Sequence, residues 1–285
     1  MKISLVLATL GREAELAQFF ESLLAQTYRD FEVIVIDQNR DGKIDRIVEA
    51  VRNRLAVKHV KVTFRGNARA RDYGIGLTQG RIVTFPDDDC VYEKDVLEKV
   101  AAEFKSRENV SILVAGSYDT GSSRFSVGVN SRKARYFSRF AMMGVEFTQF
   151  YDWNRIDRDQ FHLDHDFGIG SKYSGAEGFE LLYRLLRAGG TAYYTPEIRI
   201  YHPNKDHYTI GSARMLRYST GIGAYIRKFA NQKDVFMLYY IARKMLVAPS
   251  LKMILALFLL NPKKLAYSFY NLIGIWRGFL AYREQ

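Results

Sequence analysis

Cysteine is nearly absent from this chain, and so are the usual signatures of nucleotide and metal chemistry. The one thiol among 285 residues, Cys90, excludes an internal disulfide framework and fits a reducing compartment. A P-loop needs a glycine-rich turn ending Gly-Lys-Ser/Thr, but the only Gly-Lys pair, Gly42-Lys43, is followed by Ile44. A dinucleotide fingerprint should follow the first strand. Leu10-Gly11-Arg12 stands there instead, and Gly74-Ile-Gly76 lies inside a helical stretch. No His-Glu-x-x-His, paired-cysteine or nucleic-acid-recognition signature occurs.

Long apolar runs are missing too. The most apolar stretch, Leu246–Leu260, holds Pro249 and Lys252 and is shorter than the ~20 residues a spanning helix needs. Ile3–Leu10 is too short and wrongly flanked for a secretion signal, so the Asn109-Val-Ser111 sequon is expected to be chance. Residues 1–198 lack net charge. From Arg199 to Gln285 there are 14 basic against 3 acidic residues, which accounts for the chain's whole +11. Such one-sided charge calls for an anionic partner.

What is present is an ordinary globular composition, 48% hydrophobic and 26% charged, with strand and helix patterns in alternation. Lys2–Thr9, Phe31–Asp37, Val60–Phe64, Arg81–Pro86 and Ser111–Ala115 read as strands. Glu13–Gln26, Ile44–Ala56, Ala68–Thr78 and Val91–Phe104 read as the helices between them. That order predicts an α/β fold with a mixed, mainly parallel sheet flanked by helices. Residues 117–170 have weak periodicity and are expected to form a substrate-shaping insertion. A helix over Glu177–Ala188, stopped by Gly189-Gly190, and short strands at Thr191–Tyr194 and Ile198–Tyr201 close the α/β part. The expected domains are 1–205 and a basic, amphipathic helical region, 206–285.

Ligands of such sheets lie beyond the strand C-termini, where Thr9, Asp37 and Asp87-Asp88-Asp89 fall. Three adjacent carboxylates repel one another unless a cation compensates. Hard divalent ions prefer such oxygens and bridge them to diphosphates. A helix N-cap is the structural alternative, and the two are compatible. Arg65, Arg69 and Arg71 supply cations for the same phosphates.

These segments together resemble the family 2 inverting glycosyltransferases of the GT-A fold. The resemblance covers most of residues 1–202. It rests on Ser4-Leu-Val-Leu-Ala-Thr9, Phe31-Glu-Val-Ile-Val-Ile-Asp37, Asn67-Ala-Arg-Ala-Arg71-Asp72-Tyr-Gly74, Thr84-Phe-Pro-Asp-Asp-Asp89 and Ala176-Glu177-Gly-Phe-Glu180. It implies a nucleotide-sugar pocket with Thr9, Arg12, Asp37, Asn67, Arg71, Asp87 and Asp88, in which Asp37 contacts the base or ribose and Arg71 approaches the diphosphate. It also implies Mn²⁺ or Mg²⁺ on Asp89, Asp87 and His202, although a histidine before proline can equally be a turn residue.

Inverting transfer needs a carboxylate base. Where the family has Glu-Asp this chain has Glu177-Gly178, so Glu177 inherits the role, with Glu180 one turn on. The donor is expected to be a UDP-, GDP- or dTDP-sugar, and the acceptor a glycan, lipid-linked in view of the basic tail. No nucleic acid is expected as a partner. The expected location is cytoplasmic, peripheral on the inner face of an anionic membrane. The rival readings are a nucleotidyltransferase on a similar sheet and a non-catalytic, membrane-bound nucleotide-binding scaffold.

Overall fold

The computed structural model describes residues 1–122, 124–203 and 211–284. Two compact units emerge: Met1–Leu163 with Leu181–Asn204, and Asp164–Glu180 with Lys205–Gln285. The expected boundary at 205/206 lies outside the described residues. The segment Asp164–Glu180, expected in the α/β part, groups with the C-terminal helices for a reason given below.

The first unit is built on one sheet. Its first half alternates strictly: β1 (Ile3–Thr9), α1 (Ala14–Leu24), β2 (Phe31–Asp37), α2 (Asp45–Arg52), β3 (Val57–Lys61), α3 (Asn67–Ile75) and β4 (Ile82–Thr84). β1 is buried along its whole length and β2 nearly so, as expected of β-branched runs covered on both faces. Leu16, Phe19, Phe20 and Leu23 recur along α1 at helical spacing and join Leu5, Leu7, Val33 and Val35 in the core. Each such side chain contributes about 1.5–3 kcal/mol on burial. The other face carries α3, where Gly74 lets the helix lie directly on Val6 and Ile36; a Cβ there would collide with Val6. That close approach brings Arg71, one turn earlier, down onto the sheet edge.

The second half departs from the expected pattern. β5 (Val91–Tyr92) precedes α4 (Val96–Ser106) and is followed by β6 (Ile112–Tyr118), β7 (Arg135–Phe137), β8 (Gln149–Asp152), α5 (Glu177–Arg187) and β9 (Ala192–Tyr201). The strand order is β3-β2-β1-β4-β8-β6-β9-β5, with β7 also on β9. β1 pairs in parallel with β2 and with β4, β2 with β3, and β6 with β9. β5, β7 and β8 run antiparallel to their partners. The sheet is therefore mixed.

Four differences from the sequence reading have local causes. Val91 and Tyr92 belong to a strand, not a helix start, because they pair with Tyr201 and Ile200. Strand β3 begins three residues before the expected Val60, where it pairs with β2. The two short strands after Gly190 are one strand, interrupted by a register shift opposite Gly116; Pro196, which cannot donate to a ladder, sits in that interruption. Most consequential is β8, from the supposedly irregular 117–170 segment, which lies between β4 and β6 in mid-sheet. Its four residues are too few to show a period. Its terminal acid is buried because Arg81 donates to both Asp152 oxygens at 2.9 and 2.7 Å.

The second unit contains α6 (Ser212–Asn231), α7 (Phe236–Tyr240), α8 (Ala248–Phe258) and α9 (Pro262–Ala281). A π-helical turn, Ile241–Val247, joins α7 to α8 without a break. It ends just before Pro249, whose missing N–H leaves a carbonyl one turn back without its usual donor. Helices α6 and α9 approach through glycines: a Cβ on Gly223 would strike the Ile275 carbonyl, and one on Gly278 the Thr220 carbonyl. Asp164–Glu180 is held in this unit by polar contacts. Lys228 Nζ donates to Asp164 Oδ2 and to Glu180 Oε1, each at 2.7 Å, and Tyr173 donates to the Ala281 carbonyl at 2.9 Å. Among the described residues no helix is long and apolar enough to cross a membrane.

Candidate active site

The sheet places Thr9 and Asp37 opposite each other at the ends of β1 and β2. The acidic triplet follows β4, and His202 follows β9. These are the carboxyl ends of parallel strands, where a crevice opens.

Each of the three aspartates is held differently. Asp88 is consumed locally: its Oδ2 accepts from Thr9 Oγ1 at 2.8 Å and its Oδ1 from Arg12 at 2.6 Å. Asp87 gives Oδ1 to Arg71 at 2.6 Å and turns Oδ2 toward His202 Nε2, 3.9 Å away. Asp89 gives Oδ2 to Arg12 at 2.6 Å and turns Oδ1 toward the same nitrogen at 3.2 Å. Two oxygens and one imidazole nitrogen thus converge within 4.8 Å of one another. The His202 ring is fixed by stacking on Phe147, with centroids 4.8 Å apart, and its backbone N–H donates to the Tyr118 carbonyl.

Burial raises the Asp88 carboxyl to about 6 against the opposing pull of Arg12 and Thr9, and its acidic neighbours add to the rise. Burial alone would lower His202, but the hydrogen bond and charge of Asp89 and the charge of Asp87 raise it. The donor set of two carboxylates and an imidazole fits Mn²⁺, and its carboxylates fit Mg²⁺. Asp87, Asp89 and His202 could hold such an ion.

Arg71, expected to approach the diphosphate, lies beside the acidic triplet. It is 1% exposed, and its guanidinium donates to Asp87, to Glu146 at 2.5 Å and to the Phe85 and Pro86 carbonyls. These bonds anchor the loop that carries the aspartates. Asp37, expected to contact base or ribose, is fully buried. Its Oδ1 accepts from the Asn39 backbone and side chain, each at 2.8 Å, and its Oδ2 lies 2.9 Å from His59 Nε2. Burial alone would raise this carboxyl, yet the hydrogen bonds from His59 and Asn39 hold it below its ordinary value. Asn39 in turn accepts from the Gly11 N–H at 2.7 Å, which links Asp37 to the loop after β1. Asn67 opens α3 and is half-buried.

Sequence reasoning missed the turn Glu146–Thr148. Glu146 holds Arg71 and Phe147 holds His202, so one turn braces two site residues. An isolated acid between Val145 and Phe147 was the available signal, since a charge amid apolar residues demands a buried partner.

Glu177 and Glu180 belong to the second unit, in the first turn of α5. Glu180 is fully buried and bound to the Lys228 ammonium. Glu177 follows Gly175 (φ +87) and Ala176 (φ +69). A left-handed alanine is strained, and the turn is held in place because Gly221 of α6 lies against the Gly175 carbonyl.

The family model for glycosyl transferase family 2 matches residues 4–168, more than half of the chain. The chain belongs to glycosyl transferase family 2. This family 2 protein is 36% identical over 102 residues to an uncharacterised glycosyltransferase of Haemophilus influenzae, a stretch covering 34% of this chain and 40% of that protein. It is 27% identical over 118 residues to TarS, the poly(ribitol-phosphate) beta-N-acetylglucosaminyltransferase of Staphylococcus aureus, covering 40% of this chain and 21% of that one. The matched stretches are thus less than half the length of these curated relatives.

Solved structures extend the likeness over nearly the whole chain. TarS 1–349 in complex with UDP-GlcNAc aligns with a TM-score of 0.63 at 15% identity, over 97% of this chain and 92% of that one. The mannosyltransferase PcManGT from Pyrobaculum calidifontis, in complex with GDP-Man and Mn²⁺, aligns at 0.66 and 15% identity, over 97% and 86%. At that identity the likeness shows a shared GT-A fold.

Proposed function

We propose that the protein transfers a sugar from a nucleoside diphosphate donor (UDP-, GDP- or dTDP-linked) to a glycan hydroxyl with inversion, assisted by a divalent cation. The observation that carries this reading is the division of labour in the triplet. Asp87 and Asp89 each give one oxygen to an arginine and turn the other toward His202. Bound there, Mn²⁺ or Mg²⁺ would neutralise charge developing on the departing diphosphate. Arg71 and Arg12 hold the two carboxylates in place, and Thr9 fixes Asp88 beside them.

Glu177 is the base in this reading. The motif Ala176-Glu177-Gly-Phe-Glu180 supports it, as does the pairing of Glu180 with Lys228. Its task is to take the proton of the acceptor hydroxyl as that oxygen attacks the donor sugar. The net +11 carried by residues 199–285 supports a lipid-linked acceptor met at the cytoplasmic face of an anionic membrane.

Titrating a nucleoside diphosphate into the purified chain with Mn²⁺ tests the metal site. Asp89→Ala should abolish the metal-dependent part of the binding, and an unchanged isotherm would sink the reading. Product analysis separates the rivals: nucleoside diphosphate release marks a transferase and pyrophosphate release a nucleotidyltransferase. If wild type and Glu177→Gln are equally inert, the scaffold reading holds.

A further inference from the structure

The second unit exposes more apolar surface than a water-facing helical unit needs. Its exposed apolar residues gather along α8 and the turn into α9, including Leu251, Ile254, Leu255, Phe258, Leu259 and Leu260. At the extreme of this run Phe258 is 84% and Leu260 88% exposed. Only Pro249 and Ala256 of α8 are buried, so the helix has little apolar cover from its own unit.

A backbone observation points the same way. Leu260 has φ +47, at the turn where α8 ends and α9 begins. A turn of this kind ordinarily takes glycine or asparagine, because a Cβ clashes in left-handed backbone. Here the left-handed position, closed by the Asn261 N–H bonding the Ala256 carbonyl, carries a large apolar side chain that is 88% exposed.

Cations flank the apolar end along the chain. Lys252 lies on α8, and Lys263 and Lys264 open α9. Residues 211–284 together hold 12 basic and 2 acidic residues. A second copy of the chain would bring like charge against like charge, whereas an anionic bilayer offers headgroups to the lysines and acyl chains to the leucines. Arg243, Lys244 and Lys252 punctuate the helical run from Phe236 to Phe258, so it fits lying in the interface and not crossing it.

We propose that the end of α8 and the α8–α9 turn, Leu255 to Leu260, form a wedge that inserts into the outer acyl layer of an anionic membrane, with Lys252, Lys263 and Lys264 as its headgroup collar. This deepens the membrane reading above and rests on it, but it needs none of the sugar-transfer chemistry.

The test is sedimentation of the full chain with vesicles of phosphatidylcholine alone or mixed with phosphatidylglycerol, at low and high salt. Wild type should bind the anionic vesicles. Leu255→Ser/Phe258→Ser/Leu260→Asn should weaken that partitioning on the order of 10- to 100-fold. Lys252→Glu/Lys263→Glu/Lys264→Glu should remove the preference for anionic over neutral vesicles. Donor binding by thermal shift should stay as in wild type for both variants, which controls for folding and leaves the catalytic reading untouched.

If wild type binds and the apolar triple variant binds equally, the wedge is wrong while the membrane reading stands. If wild type ignores every vesicle, both fall. Concentration-dependent dimers of wild type, lost in the apolar variant without vesicle binding, would assign the surface to a second copy and overturn the proposal.

Discussion

Replacing Arg71 by methionine keeps roughly the same volume and removes the guanidinium that two carboxylates share. Asp87 is 35% exposed at its side chain and can recruit water, but Glu146 is only 9% exposed and cannot. The dominant loss is thus a buried carboxylate stripped of its partner, which costs about 3–5 kcal/mol. For a chain of this size each kcal/mol moves the melting temperature by about 2–4 °C, so a fall of roughly 6–20 °C is expected.

Glu146→Gln in the same background removes the orphaned charge and should recover part of the fall; Arg71→Lys should fall between, since an ammonium cannot match the fork. Differential scanning calorimetry of the four proteins without ligand reads the effect directly. A melting temperature within about 2 °C of wild type in Arg71→Met, combined with a raised KM for the donor, would return Arg71 to the diphosphate and refute the anchoring argument.

Lys228→Met should likewise destabilise by about 3–5 kcal/mol, because Glu180 is fully buried and loses its cation. Chemical denaturation measures it, and a loss below about 1 kcal/mol would mean the triad with Asp164 is solvated. Asp37 should make stability fall in acid. Its carboxyl is held below the ordinary 3.8, so its contribution is complete above that pH and disappears as pH drops through the folded-state value. Asp37→Asn should flatten the acid limb of a urea-midpoint-versus-pH curve below about pH 4. An unchanged limb would count against the His59 and Asn39 contacts as the cause.

The first half of the fold was readable because its signals are local. β1 and β2 are continuous apolar runs, α1 repeats its apolar residues at helical spacing, and each strand ends where a polar residue meets the crevice. The second half was not. β8 has four residues, and β5 has two whose neighbours suggest a helix; both are strands only because β4, β6 and β9 offer them edges. Among the site residues, the outer aspartates and His202, grouped by the family resemblance, do lie together. The pairing of Arg71 with Glu146 and of Asp37 with His59 was not legible, because a sequence shows which charges exist but not which are already matched.

Residue order alone established the α/β class, the family, the acidic triplet and the placing of all excess charge after residue 198, since each depends on short-range pattern or on counting. Only tertiary structure decided that Asp88 is tied to Thr9 and Arg12 while its neighbours turn an oxygen toward His202, that Glu146 and Phe147 brace the site, and that the apolar residues of α8 are left uncovered. Pairing and burial are set by residues distant in the chain, and Coulomb and desolvation energies are determined by those distances and not by position in the sequence.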